Sequence, residues 1–373
     1  MPHRQAISLG RIVGIPIRVD YSWFLIFALL SWTLATGYYP AEFKHWSPVQ
    51  YWIVGAATAI MLFVSVLLHE LGHSIVAKHY GTPVRSITLF IFGGVSQLSA
   101  SAANARAEFW VAAAGPVVSF ALAGLFRIVE PAVAGTSSLF ALAKYLAYIN
   151  AALGIFNLIP GFPLDGGRVL RAILWGSTHD FHRATAIAGN VGRGVAYLFI
   201  VAGVWQVFAG DFVNGLWIAF IGWFLENAAV SETQQQFMKD LLTGHRVSEA
   251  MSVENPTVSS TVTLQELVDR HVLGAGRRSF VVTRDGEAVG LLTLGHLTHV
   301  PRDRWATTAV ADAMIPATHM KVVRPEQDLW TAMEEMDGSG INQLPVIADG
   351  RTRGMLTRHD LIRFLRKLGQ QSL

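Results

Sequence analysis

The 373-residue sequence contains no cysteine. Disulfides and thiolate metal ligands are therefore excluded, and any bound metal must be held by His, Asp or Glu. Charge is scarce as well. Only 15% of residues are Asp, Glu, Lys or Arg, against 52% hydrophobic, a balance too apolar for a soluble protein of this length. A membrane protein is implied. The net charge of +3 comes without a basic cluster, which argues against nucleic acid as a partner. The few charges are also unevenly placed, with more than half of them after residue 230. A membrane domain over 1–230 is thus expected to be followed by a linker at 231–245 and a soluble tail at 246–373.

Uncharged runs near the length of a bilayer span predict six transmembrane helices, at about 21–39, 51–77, 109–126, 145–164, 194–210 and 212–230. Their orientation follows from Lys and Arg in the short loops. Arg4, Arg11 and Arg18 precede the first span; Lys78, Arg85 and Arg106 follow the second; Arg168, Arg171, Arg183 and Arg193 follow the fourth. The opposite side has only Lys44, Arg127 and Lys144. Both termini and the tail are expected in the cytoplasm, with the chain a multi-pass protein of the cell membrane.

The second span ends in MLFVSVLLHELGHSIVAKHYG, residues 61–81, which places ionisable groups inside an apolar run. Such groups in a membrane helix are costly and mark function. His69, Glu70 and His73 spell HExxH: positions i and i+4 share a helix face, so two imidazoles can hold one zinc ion while Glu70 serves as general base. A catalytic zinc usually takes three protein ligands. Asp165, in PLDGG at the end of the fourth span, is the only acid between Glu130 and Asp180 and lies on the same side of the membrane. PLDGG is also simply good turn chemistry, with Pro breaking the helix and Asp-Gly-Gly allowing positive φ, and on the residues alone that reading prevails.

Between the second and third spans, TPVRSITLFIFGGVSQLSAS has β-branched and aromatic residues interrupted by Gly93 and Gly94. It predicts a short interfacial hairpin whose edge can accept an unwound substrate, or a re-entrant packing loop. AAAGPVVSFALAG in the third span reads as close helix packing through small residues.

The tail repeats itself. VSEAM at 247–251 returns as VADAM at 310–314, and DGEAVGLLTLGHL at 285–297 returns as DGRTRGMLTRHDL at 349–361. This resembles a tandem CBS pair, at about 246–300 and 309–367, a module whose clefts often hold adenine nucleotides. The second copy keeps the ribose-binding pattern of such modules as Gly354, Thr357 and Asp360. The first has Thr293 but His296 in place of the acid, so one competent cleft is expected. Dimerisation through the CBS pair is the purely structural alternative.

HExxH late in one span, with Asn157, Pro160 and PLDGG at the end of a later one, resembles the site-2 protease family of intramembrane zinc metalloproteases, in the subgroup with a C-terminal CBS pair. The resemblance covers nearly the whole chain. It implies an α-helical polytopic membrane domain of six transmembrane helices with a small interfacial β element, followed by an α+β tandem CBS domain. It implies one zinc per chain with Asp165 as the third ligand beside His69 and His73. Asn157 would hydrogen bond the substrate carbonyl as negative charge develops, and strand addition at Gly93 and Gly94 would bind the substrate. The substrate would be the transmembrane segment of a membrane protein such as an anti-sigma factor, a pro-sigma factor or a remnant signal peptide, cut near the cytoplasmic face and modulated by the tail. The alternative is a CBS-regulated transporter or channel with a His/Asp ion site. Glu70 separates the two, because hydrolysis needs an unliganded carboxylate beside the metal and transport does not.

Overall fold

The computed structural model describes residues 6–91, 93–98, 102–253, 257–273, 279–349 and 351–371; of the positions discussed above, Arg4, Phe92, 99–101 and Gly350 lie outside them. The chain divides into two compact units, with the boundary between Gln235 and Gln236.

The first unit opens with a hairpin that the spacing of spans did not reveal. Strands β1 (Ala6–Ile12) and β2 (Ile15–Asp20) are joined by Val13 and Gly14, whose φ values of 52° and 76° are those of a tight turn matched to strand twist. The first span, Ser22–Glu42, comprises α1 (Ser22–Thr33), a π-helical turn at Leu34–Tyr38 and α2 (Tyr39–Glu42). Helix α3 (Pro48–His79) starts where the Ser47 hydroxyl accepts from the Gln50 N–H, with proline at its first position. At 32 residues it is about 48 Å long, against an apolar bilayer core of about 30 Å. Strands β3 (Val84–Phe90) and β4 (Gly93–Leu98) follow, then α4 (Ala105–Ala132), α5 (Ser137–Asn157), α6 (Asp165–Thr178), α7 (Phe181–Phe208) and α8 (Phe212–Leu242).

Six of these helical segments are long and apolar enough to cross a membrane. The fourth, α5, stops at Asn157 rather than running on to residue 164, because Pro160 and Gly161 interrupt it, and Asp165 instead begins the short helix α6. Fully buried Ala59, Ala112, Ala141 and Ala143 let the helix backbones approach closely, as helices must when lipid is as apolar as their own side chains. The predicted hairpin over residues 82–101 is present as β3 and β4, but it belongs to a four-stranded sheet in the order β1-β2-β3-β4. β2 and β3 run parallel, with Ile17 opposite Ile87. Ile15, Ile17 and Ile87 pack on Leu71 and Leu67 of α3, which lays the sheet along the helix that carries HExxH.

The second unit contains α9 (Val247–Ala250), β5 (Thr257–Ser259), α10 (Leu264–Leu267), β6 (Ser279–Arg284), β7 (Glu287–Thr293), α11 (Leu294–Leu297), α12 (Val310–Ala313), β8 (Ile315–Pro316), α13 (Leu329–Ser339), β9 (Gln343–Ala348), β10 (Arg351–Thr357) and α14 (Arg358–Gln371). Its two halves exchange their opening segments. The lead-in of the second copy, through Val310 and β8, completes the core and sheet of β5, β6 and β7. The lead-in of the first copy, through Val247, is buried with Leu329, Leu344 and Phe364 of the second. Ser252 and Met355 exchange two backbone hydrogen bonds, of 2.9 and 3.0 Å. The segment read as a linker is helical as far as Leu242, which is fully buried in that same second core.

Candidate metal centre

His69 and His73 lie one turn apart on α3, each only 4% exposed. Helix α4 fixes both rings. The His73 Nδ1–H donates to the Val111 carbonyl at 2.7 Å, which leaves the Nε2 lone pair free. His69 Nδ1 lies 2.8 Å from the Ser119 hydroxyl, and its Nε2 is directed to the same point. The two Nε2 atoms are 3.2 Å apart, and Asp165 Oδ2 stands 3.1 Å from one and 3.2 Å from the other. Among the described residues this is the one group of three metal-capable side chains. A tetrahedral zinc with bonds of about 2.0–2.1 Å sets its ligand atoms about 3.3 Å apart, so the triangle fits that ion.

Asp165 is presented by the first residue of α6. The two glycines after it are helical, and neither has positive φ. They are needed instead for close approach: a Cβ on Gly166 would overlap the carbonyls of Leu158 and Ile159, and one on Gly167 the backbone of Gly161 and Phe162. Arg171, farther along α6, is buried 5.0 Å from the Phe162 ring and 4.9 Å from the Phe181 ring. Its Nε donates to Glu108 Oε1 of α4 at 2.7 Å, and its Nη2 pairs with the same oxygen.

One helix thus positions all three groups. Val111, Gly115 and Ser119 fall four residues apart on one face of α4. The small residues of this stretch imply close packing, and at Gly115 close approach is indeed the point: a Cβ there would lie 2.5 Å from His69 Nε2 and closer still to His73 Nε2. Ser119 carried no sequence signal, since a serine in an apolar span announces no partner.

Glu70 does not join the triangle. Its Oε2 accepts a hydrogen bond of 2.6 Å from Ser96 of β4, and Gly94 lies against its side chain. Gly93 begins the same strand, at the sheet's edge. Asn157 is the last residue of α5, and its amide donates to the Leu153 carbonyl at 3.1 Å. In the second unit, the backbone N–H and hydroxyl of Thr357 both donate to Asp360 Oδ2, while Arg363 lies 3.3 Å from Oδ1. His296 imitates this in the first copy, accepting the Thr293 N–H at Nδ1; burial and then His299 push its imidazole below the usual range.

The profile of Peptidase family M50 matches residues 57–135 and 121–201, and that of the CBS domain matches residues 247–303 and 310–367. Rip3 of Mycobacterium tuberculosis, by name a candidate zinc metalloprotease, is 38% identical over 97% of this chain and 93% of its own. Zinc metalloprotease MJ0392 of Methanocaldococcus jannaschii is 28% identical over 96% of this chain and 95% of its own. The solved structure of a site-2 protease from Methanocaldococcus jannaschii is 32% identical and covers 61% of this chain and 95% of that one, with a TM-score of 0.44. Near full-length likeness to Rip3, together with the M50 and CBS matches, removes the transporter reading: the chain belongs to the site-2 protease group of peptidase family M50, the zinc metalloproteases, in the form that carries a C-terminal CBS pair.

Proposed function

We propose that the protein hydrolyses a transmembrane segment of another membrane protein near the cytoplasmic face, with His69, His73 and Asp165 holding one zinc ion. The observation that carries this reading is the convergence of His69 Nε2, His73 Nε2 and Asp165 Oδ2 at 3.1–3.2 Å beside an unliganded Glu70. Zinc bound there supplies a Lewis acid that polarises the scissile carbonyl and acidifies water. Glu70 takes the proton of the attacking water and returns it to the leaving amine; Oε1 is the oxygen for this, since Oε2 is engaged by Ser96. Asn157 donates to the carbonyl oxygen as charge develops, using the second proton of an amide whose first is held by Leu153. The substrate, unwound, adds to the β4 edge at Gly93 and Gly94. The loop charges support a cytoplasmic placement of both termini.

Asp165→Ala tests the ligand set. Stoichiometric zinc should be lost along with turnover, and Asp165→Ala combined with His73→Ala should be little worse than either alone, because the residues act as one unit. Metal analysis checks the first, and proteomics of the membrane fraction, searching for an accumulating single-span protein, checks the second. Retained zinc with normal turnover would return PLDGG to a purely structural role.

The tail adds regulation. Thr357 and Asp360 bind an adenine nucleotide, with Asp360 accepting from the ribose diol in place of Arg363, and α8 carries the response toward the membrane. A tenfold change in activity requires only about 1.4 kcal/mol of differential binding. Calorimetric titration of the full chain with ATP, ADP and AMP should give one site, abolished by Asp360→Ala. His296→Ala removes the acceptor of the Thr293 N–H in the first copy and should leave the titration unchanged. No heat from any nucleotide would refute this assignment.

A further inference from the structure

HExxH accounts for the identity of the general base but not for what holds it. A glutamate side chain on a helix surface samples several rotamers, and only some of them bring its carboxylate to the reacting atoms. In this structure the choice is made by β4. Gly94 and Ser96 are two residues apart and so face the same side of the sheet. That side faces α3: their cross-strand partners are Leu89 and Ile87, and Ile87 packs on Leu71 of α3.

Gly94 leaves the space that the Glu70 side chain occupies, since a Cβ there would fall 2.5 Å from Glu70 Cγ. Ser96 then fixes the carboxylate with a 2.6 Å hydrogen bond to Oε2. The hydroxyl is itself oriented. Ser74, one turn after Glu70 on α3 and fully buried, donates to Ser96 Oγ at 3.2 Å, which leaves the Ser96 proton for the glutamate.

We propose that Ser96 is a positioning residue for the reaction: with Gly94 it sets the rotamer of Glu70, so that Oε2 is tied to β4 and Oε1 is presented to water. The inference rests on the reading of Glu70 as general base. Its consequence is that the strand proposed to receive the substrate also holds the base.

The test compares Ser96→Ala, Ser96→Thr and Glu70→Gln with the wild-type full chain, zinc-loaded in detergent. The probe is a single-span peptide carrying a fluorophore and a quencher on either side of its apolar segment. Ser96→Ala should lower kcat by about 10–100-fold, the range for misplacing a catalytic group or losing an outer partner, with KM and bound zinc within about twofold of wild type. Ser96→Thr keeps the hydroxyl on a residue suited to a strand and should restore kcat to within about threefold. Unchanged kcat in Ser96→Ala would overturn the proposal. So would a loss of kcat matched by lost zinc or raised KM, or a threonine variant as slow as the alanine one. A wild-type rate no greater than that of Glu70→Gln would instead overturn the reading of Glu70 as base, and the role of Ser96 with it.

Discussion

Glu70→Gln is expected to bind one zinc per chain as the wild type does, while hydrolysis falls by on the order of 10²–10⁴-fold, the share that general base catalysis contributes. Both halves follow from where the side chain lies. Its carboxylate is not part of the triangle of His69, His73 and Asp165, so removing its charge takes nothing from the ligand set. Glutamine has the same shape, and its amide oxygen can still accept the hydrogen bond from Ser96. What it lacks is a basic oxygen. Metal analysis of the purified variant, alongside turnover of the quenched single-span peptide, separates the two effects. Wild-type turnover in Glu70→Gln would remove the protease mechanism altogether.

The second large effect is expected from a single methyl group added beside the triangle of ligand atoms. Gly115→Ala should weaken zinc binding by on the order of 100-fold or more, exceeding the loss of one outer hydrogen bond, because the new Cβ displaces both imidazoles at the atoms that face Asp165. Overpacking of this kind also costs about 1–3 kcal/mol of stability. Gly124→Ala is the control. It lies on the same helix α4 with nothing within 4 Å of an added Cβ, and should leave zinc, turnover and fold unchanged. Competition against a chelator of known affinity measures the difference, and equal zinc affinity in the two variants would show that α4 yields at Gly115.

The parts of the site that could be read beforehand are those written as spacing. The step of four residues from His69 to His73 states a shared helix face, whereas Asp165 in PLDGG became a candidate third ligand only through the family resemblance. The supports cannot be read so, because they exist only where separate elements approach. Ser119 matters through a ring 50 positions earlier, Ser96 through a helix 26 positions earlier. The same holds for the sheet. Its central parallel pair joins Ile17 to Ile87, so β1 and β2 could be read as a hairpin at best, never as neighbours of β3. Gly166 and Gly167 illustrate the opposite error, in which a familiar turn pattern proved to be a helix start shaped by crowding. In the tail, the repeat identifies the two copies but is silent on which copy each lead-in packs against.

That exchange sets an order of events during synthesis. The first copy leaves the ribosome before the second, yet its half of the tail cannot close when that copy alone is complete. The sheet of β5, β6 and β7 lacks β8 until residue 316 has been made, and Leu242 and Val247 have no core to enter until Phe364 arrives. At about 5–20 residues per second this leaves the apolar end of α8 uncovered for on the order of ten seconds. The half built on β5, β6 and β7 can therefore close once residue 316 is made and the other only after Phe364, so a ribosome that stalls between the copies leaves Leu242 and Val247 without their core.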